Sequence, residues 1–146
     1  MRNPGLKILL ALALVLGIAA ADDSRYHQKV DGISVYLGVI PAQLIRGHDK
    51  GMHGGAEGRE SYHILVALFD SQSGERITDA KVNATVASVG MRGEKKSLEP
   101  MSEELLSYGN FFRLERPGRY EIRLEIFRKG VKAPVVADFY FERPQE

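Results

Sequence analysis

Residues 119–127 read RYEIRLEIF, and they alternate without a break: Tyr120, Ile122, Leu124 and Ile126 fall on one side, Arg119, Glu121, Arg123 and Glu125 on the other. A helix repeats every 3.6 residues and would scatter these apolar side chains around its circumference, whereas a period of two sorts them onto the two faces of a strand. The stretch is therefore predicted to be an antiparallel strand with one face in a core. Its other face lies in water, where opposite charges can pair.

Working outward, RKGVKAP (128–134) supplies a turn at Gly130, and VVADFYF (135–141) resumes the alternation, with Val135, Ala137, Phe139 and Phe141 opposing Val136, Asp138 and Tyr140. The two segments form a hairpin. Upstream, YHILVALFD (62–70) is apolar on both faces, as expected of a central strand covered by a second layer, and SQSGERITDA (71–80) supplies turn residues after it. KVNATVASV (81–89) alternates Val82, Ala84 and Val86 against Asn83 and Thr85. ISVYLGVI (33–40) is an earlier strand closed by Pro41, and NFFRLERPG (110–118) a later one closed by the turn from Arg116 to Arg119. Only SEELLSY (102–108) is a helical candidate, and it is short. Six or seven short strands separated by turn signals predict an all-β, immunoglobulin-like antiparallel β-sandwich of about seven strands. Asn83-Ala84-Thr85 matches the N-glycosylation pattern, but the polar face of a strand accounts for both residues.

The N-terminus, MRNPGLKILLALALVLGIAAADD, places Arg2 and Lys7 before an apolar run from Ile8 to Ile18 and then small residues. That order is the signature of a secretory signal peptide, with cleavage expected after Ala21. The run falls short of the roughly 20 apolar residues a spanning helix needs, so an uncleaved anchor is the lesser alternative. No cysteine follows it, which excludes lipid attachment at a mature N-terminal cysteine. Residues 22–146 remain as one domain, with a Gly/His-rich loop at about 46–60. Loss of Arg2 and Lys7 takes the formal charge from +1 to −1, so nothing calls for nucleic acid or an anionic membrane surface. Membrane contact is expected only through the signal segment if it is retained.

The 146-residue chain has no cysteine. Stability must come from the apolar core, and thiol nucleophiles, thioredoxin-like chemistry and thiolate metal sites are excluded. No G-x-S-x-G elbow is present for a Ser-His-Asp arrangement, and Ser71, Ser73 and Ser97 sit in turn-like stretches. Glu103 and Glu104 are adjacent, which suits solvated charges better than paired catalytic carboxylates. GMHGGAEG (51–58) lacks the Lys-Ser/Thr of a phosphate-cradling loop. An enzyme is the least supported class.

Metal binding is better supported. RGHDKGMHGG (46–55) holds His48, Met52 and His53 among glycines that let the backbone fold around an ion, and His63 stands at the mouth of the central strand. Imidazole is the commonest ligand for copper and zinc, and thioether adds affinity for Cu(I). His48, Met52, His53 and His63 are thus the candidate ligands, with copper first and zinc second. His27 is a further candidate, and Met91 and Met101 can close the soft side. Against this, His48 and His53 suit an exposed loop, His63 alternates with Leu65, Ala67 and Phe69 as a core histidine would, and Met101 suits packing.

From YHILVALFDSQSGERITDAKVNATV (62–86) through GNFFRLERPGRYEIRLEIFRKGVKAPVVADFYF (109–141), the chain resembles the YtkA-like and FixH-like group of secreted or membrane-tethered immunoglobulin-like domains. A hydrophobic strand ending in Asp70, the turn SGERITDA leading to Val82, and PGRYEIRLEI two strands before the end carry the resemblance. It implies an association with copper handling or cytochrome oxidase assembly. The histidines precede the resembling region or stand at its first strand, so no family ligand is carried over. The expectation is a non-enzymatic periplasmic or secreted copper carrier or accessory protein, whose partner would be a cell-envelope protein such as an oxidase or a copper exporter component. The alternative is a metal-free interaction or assembly module presenting LGVIPAQLIRGHDKGMHGG (37–55), a stretch that an edge strand ending at Pro41 also explains.

Overall fold

The computed structural model describes residues 25–45, 58–102 and 106–145. Among these it places eight strands: β1 (His27–Val30), β2 (Ile33–Pro41), β3 (Ser61–Asp70), β4 (Lys81–Ser88), β5 (Glu94–Pro100), β6 (Tyr108–Arg113), β7 (Gly118–Phe127) and β8 (Val135–Arg143). All pairings are antiparallel, in the order β1-β2-β3-β6-β5-β4-β7-β8. Two four-stranded leaves result, β1-β2-β3-β6 and β5-β4-β7-β8, so the all-β sandwich-like expectation holds.

The alternating stretch runs through the middle of the second leaf, with Leu124 opposite Ala84 of β4 and Ala137 of β8. Ile122, Leu124 and Ile126 are fully buried, as are Val82 and Ala84 of β4 and Ile64, Val66 and Leu68 of β3. Each such valine, leucine or isoleucine contributes about 1.5–3 kcal/mol, and together these residues form the core between the leaves. On the outer surface Arg123 makes a two-pronged contact with Asp138, at 2.7 and 3.1 Å. That pair is half exposed and adds less than about 1 kcal/mol.

The leaves join through β5, whose first residues pair with β4 and whose last two, Glu99 and Pro100, pair with Gly109 and Tyr108 of β6. Where β5 and β6 diverge, side chains replace the ladder: Lys96 Nζ donates to the Phe111 carbonyl at 2.8 Å, and Asn110 Nδ2 to that of Ser97 at 2.8 Å. At the opposite seam Gln28 Nε2 donates to the Asp138 carbonyl at 2.6 Å, tying β1 to β8. The Tyr120 hydroxyl turns back to the backbone of Arg116, donating to its carbonyl at 2.9 Å and accepting from its N–H at 3.2 Å. This is the tyrosine corner of immunoglobulin-like sandwiches.

Two strands went unforeseen. β1 joins β2 through Asp31 and Gly32, both with positive φ, so VDGI forms a two-residue hairpin turn. β5, EKKSLEP, buries only Leu98 and so carries no period-two signal. β1 covers only the first half of β2, Ile33 to Tyr36, and among the described residues no strand pairs with the outer side of residues 38–41, which keep the edge character expected of the segment closed by Pro41. Of the helical candidate at 102–108, Tyr108 begins β6 and Glu103 to Leu105 lie outside the described residues. The signal segment, 1–21, lies outside them too. No helix among the described residues is long and apolar enough to cross a membrane.

Candidate functional site

His63 is the third residue of β3. Its neighbours Tyr62 and Ile64 point into the core, together with Val66 and Leu68, so His63 shares the opposite face with Leu65, Ala67 and Phe69. Outward-facing polar side chains are normally solvated, yet His63 is only 2% exposed. His63 is thus buried, as the core-histidine alternative had it, but on the outer side of the leaf rather than in the core. Ile40 of β2 and Phe111 of β6 stand level with it on either side, and the Phe111 ring lies 4.7 Å from the imidazole, tilted by 45°.

The decisive geometry lies on β6, between β3 and β5. Gly109 pairs with Leu65 on one side and Glu99 on the other. A Cβ placed on Gly109 would meet Nε2 and Cε1 of His63 at 2.7 Å each and Sδ of Met101 at 3.1 Å. An imidazole nitrogen and a thioether sulfur therefore both lie beside one point over Gly109. Met101 is held there because its N–H donates to the Ser107 carbonyl at 2.7 Å, directly after Pro100 pairs with Tyr108. Its sulfur thus lies beside the His63 ring, on the outer side of the leaf.

The other candidates separate by position. His27 stacks on Tyr36, with centroids 4.3 Å apart, and through Tyr36 is level with Ala67. Ala67 is four residues along β3 from His63, which is roughly 13 Å at the usual rise. Two ligands of one ion sit no more than about 4–5 Å apart, so His27 cannot join His63. Met91 is exposed in the β4–β5 turn, with the seven residues of β5 between it and the Pro100 end, about 20 Å. It does not close the soft side. His48, Met52 and His53 lie outside the described residues, which stop at Ile45 and resume at Gly58, three residues ahead of β3.

Among the described residues no three of His, Cys, Asp and Glu gather as a metal-binding group; the site there is one imidazole and one thioether. That donor pair fits copper, since a thioether favours Cu(I) and imidazole suits either oxidation state. It suits zinc poorly, because zinc takes four N, O or thiolate donors. Ser73 is engaged in the β3–β4 turn, where Asp70 Oδ1 accepts from Ser73 Oγ at 3.2 Å and from the N–H groups of Gln72 and Ser73 at 3.0 and 2.9 Å. These turn hydrogen bonds hold the Asp70 carboxyl below its ordinary pKa.

No protein-family model matches the chain, and no curated protein does. Among solved structures, a copper-bound variant of FetP from a uropathogenic Escherichia coli strain is similar over 80% of this chain and 93% of its own, with a TM-score of 0.61 and 12% identity. FetP of the same strain as isolated, expressed recombinantly in the periplasm of E. coli, is similar over 80% and 91%, at TM-score 0.62 and 12% identity. A DUF4426 family protein from Pseudomonas aeruginosa is similar over 82% and 95%, at TM-score 0.63 and 18% identity. At these identities the likeness is one of fold. It extends over most of each chain, and the YtkA-like or FixH-like resemblance has the strand and turn pattern as its sole basis.

Proposed function

We propose that this chain is a periplasmic metal-binding protein, a copper carrier or accessory factor rather than an enzyme, with His63 and Met101 as two of its ligands. One observation carries the proposal: the buried His63 imidazole and the sulfur of the half-buried Met101 come together over Gly109, outside the main core. A packing role would account for a methionine or for a buried histidine separately, but a strand glycine that lets both come together favours a shared ligand. The fold shared with a copper-bound FetP variant supports the choice of metal. Periplasmic expression of FetP and the signal-like N-terminus support the compartment. In this account His48, Met52 and His53 supply the remaining ligands, and a cell-envelope protein such as an oxidase or copper exporter component receives the ion.

The test is anaerobic titration with Cu(I) against a competing chelator, and with Cu(II) and Zn(II). The wild type is compared with His63→Ala, Met101→Leu and a variant with His48, Met52 and His53 changed to Ala. Removal of either His63 or Met101 is expected to weaken Cu(I) binding at least tenfold, about 1.4 kcal/mol. Equal, weak binding by all four proteins would overturn the proposal.

A second reading, an interaction module without metal, draws on the other end of the same outer face. There a hollow of about 500 Å³ is lined by Lys29, Tyr36, Phe69 and Arg76 among others, and Tyr36 is 45% exposed. Crosslinking in the periplasm that recovers the same partner with and without copper would favour it.

A further inference from the structure

We infer that Gly109 is the position that sets the ion class of this site: its missing side chain lets His63 and Met101 meet, and so selects a soft monovalent ion over a divalent one. This rests on the reading of His63 and Met101 as ligands. Glycine is costly inside a strand and usually marks a turn, a bulge or a close approach. Gly109 is not among the glycines with positive φ, so its backbone is open to any residue and the requirement is one of space. The space in question is shared by the ring edge of His63 and the sulfur of Met101.

An alanine at 109 would place its Cβ 2.7 Å from two ring atoms, closer than real contacts allow. The ring cannot simply retreat, because Phe111 packs against it at 4.7 Å and residue 63 is already buried. Either the imidazole or the thioether must move, and the pair opens. A monovalent d¹⁰ ion such as Cu(I) or Ag(I) needs few donors and favours a thioether among them, so it depends directly on that pair. Zn(II) can use the imidazole but gains little from a thioether, so its binding does not depend on the two donors meeting.

Silver is the convenient probe, being soft, monovalent and stable in air. The purified protein is titrated with Ag(I) and with Zn(II) as wild type, Gly109→Ala, Met101→Leu and His63→Ala. Gly109→Ala is expected to lose at least tenfold in Ag(I) affinity with Zn(II) binding unchanged, alongside similar Ag(I) losses in the other two variants. Wild-type Ag(I) affinity in Gly109→Ala, with losses in Met101→Leu and His63→Ala, would overturn the role of Gly109 and leave the metal site standing. Unchanged Ag(I) binding in all three would overturn both. If near-UV circular dichroism shows that Gly109→Ala has lost its fold, NMR of the wild type decides. The Met101 methyl and Gly109 amide signals are expected to shift together and saturate at one equivalent of Ag(I). Equal shifts with Zn(II) would overturn the inference.

Discussion

At the scale of single residues, hydrogen bonding and free space decide what each side chain can do. Tyr108 is buried in the core, where its hydroxyl donates to the Ile77 carbonyl at 3.2 Å and accepts from the Ala80 N–H at 3.1 Å. It thereby pins the β3–β4 connection across the leaf. Tyr108→Phe leaves both backbone groups without that partner, so urea unfolding should show a loss of about 1–3 kcal/mol. Burial pushes the Tyr108 phenol above its ordinary value of 10.0, which fixes the sign of the pH dependence. A raised folded-state pKa means that the tyrosine's stabilisation is complete below the unfolded pKa and is lost as pH rises through the folded one. The melting temperature of the wild type should therefore fall more steeply above pH 10 than that of Tyr108→Phe, and parallel curves would contradict this. His63 was legible as a candidate from its residue type and its place in a strand. Gly109 was not, because its meaning lies in the register that sets it between β3 and β5, and no local pattern reports a cross-strand neighbour.

At the scale of elements, strands with alternating apolar residues were legible and the others were not. β7 and β8 announce themselves because burial on one face and water on the other impose a period of two. β5 is an inserted, mostly exposed strand with only Leu98 in the core, so its charges read as loop. β1 had a usable signal in Asp31-Gly32, since both positions of such a turn require positive φ and an Asp-Gly pair supplies it. Gly32 has a φ of 79°, and a Cβ there would meet nothing within 4 Å. The cost of Gly32→Ala is thus conformational rather than steric, about 1 kcal/mol. Thermal unfolding should show that loss, with hydrogen exchange quickened first in β1, the outermost strand of its leaf. An unchanged melting temperature would mean that the turn does not hold β1 in register.

At the scale of the whole molecule, the two leaves differ on their outer surfaces. The β7 face carries Arg119, Glu121, Arg123 and Glu125, as a solvated surface does. The β3 face carries His63, Leu65, Ala67 and Phe69, with His63 buried. The two outer surfaces therefore differ in composition, one charged and the other mostly apolar and only partly exposed. The sequence pattern predicted two layers and a central β3, but not which face His63 would take, because a strand apolar on both faces does not mark its inner one. The central claim is that His63 and Met101 bind one copper ion together. It is tested most directly by X-ray absorption at the copper edge on the Cu(I)-loaded protein. The expected first shell contains both nitrogen and sulfur, with the sulfur contribution reduced in Met101→Leu. A wild-type shell of nitrogen and oxygen alone, or a sulfur contribution untouched by Met101→Leu, would contradict it.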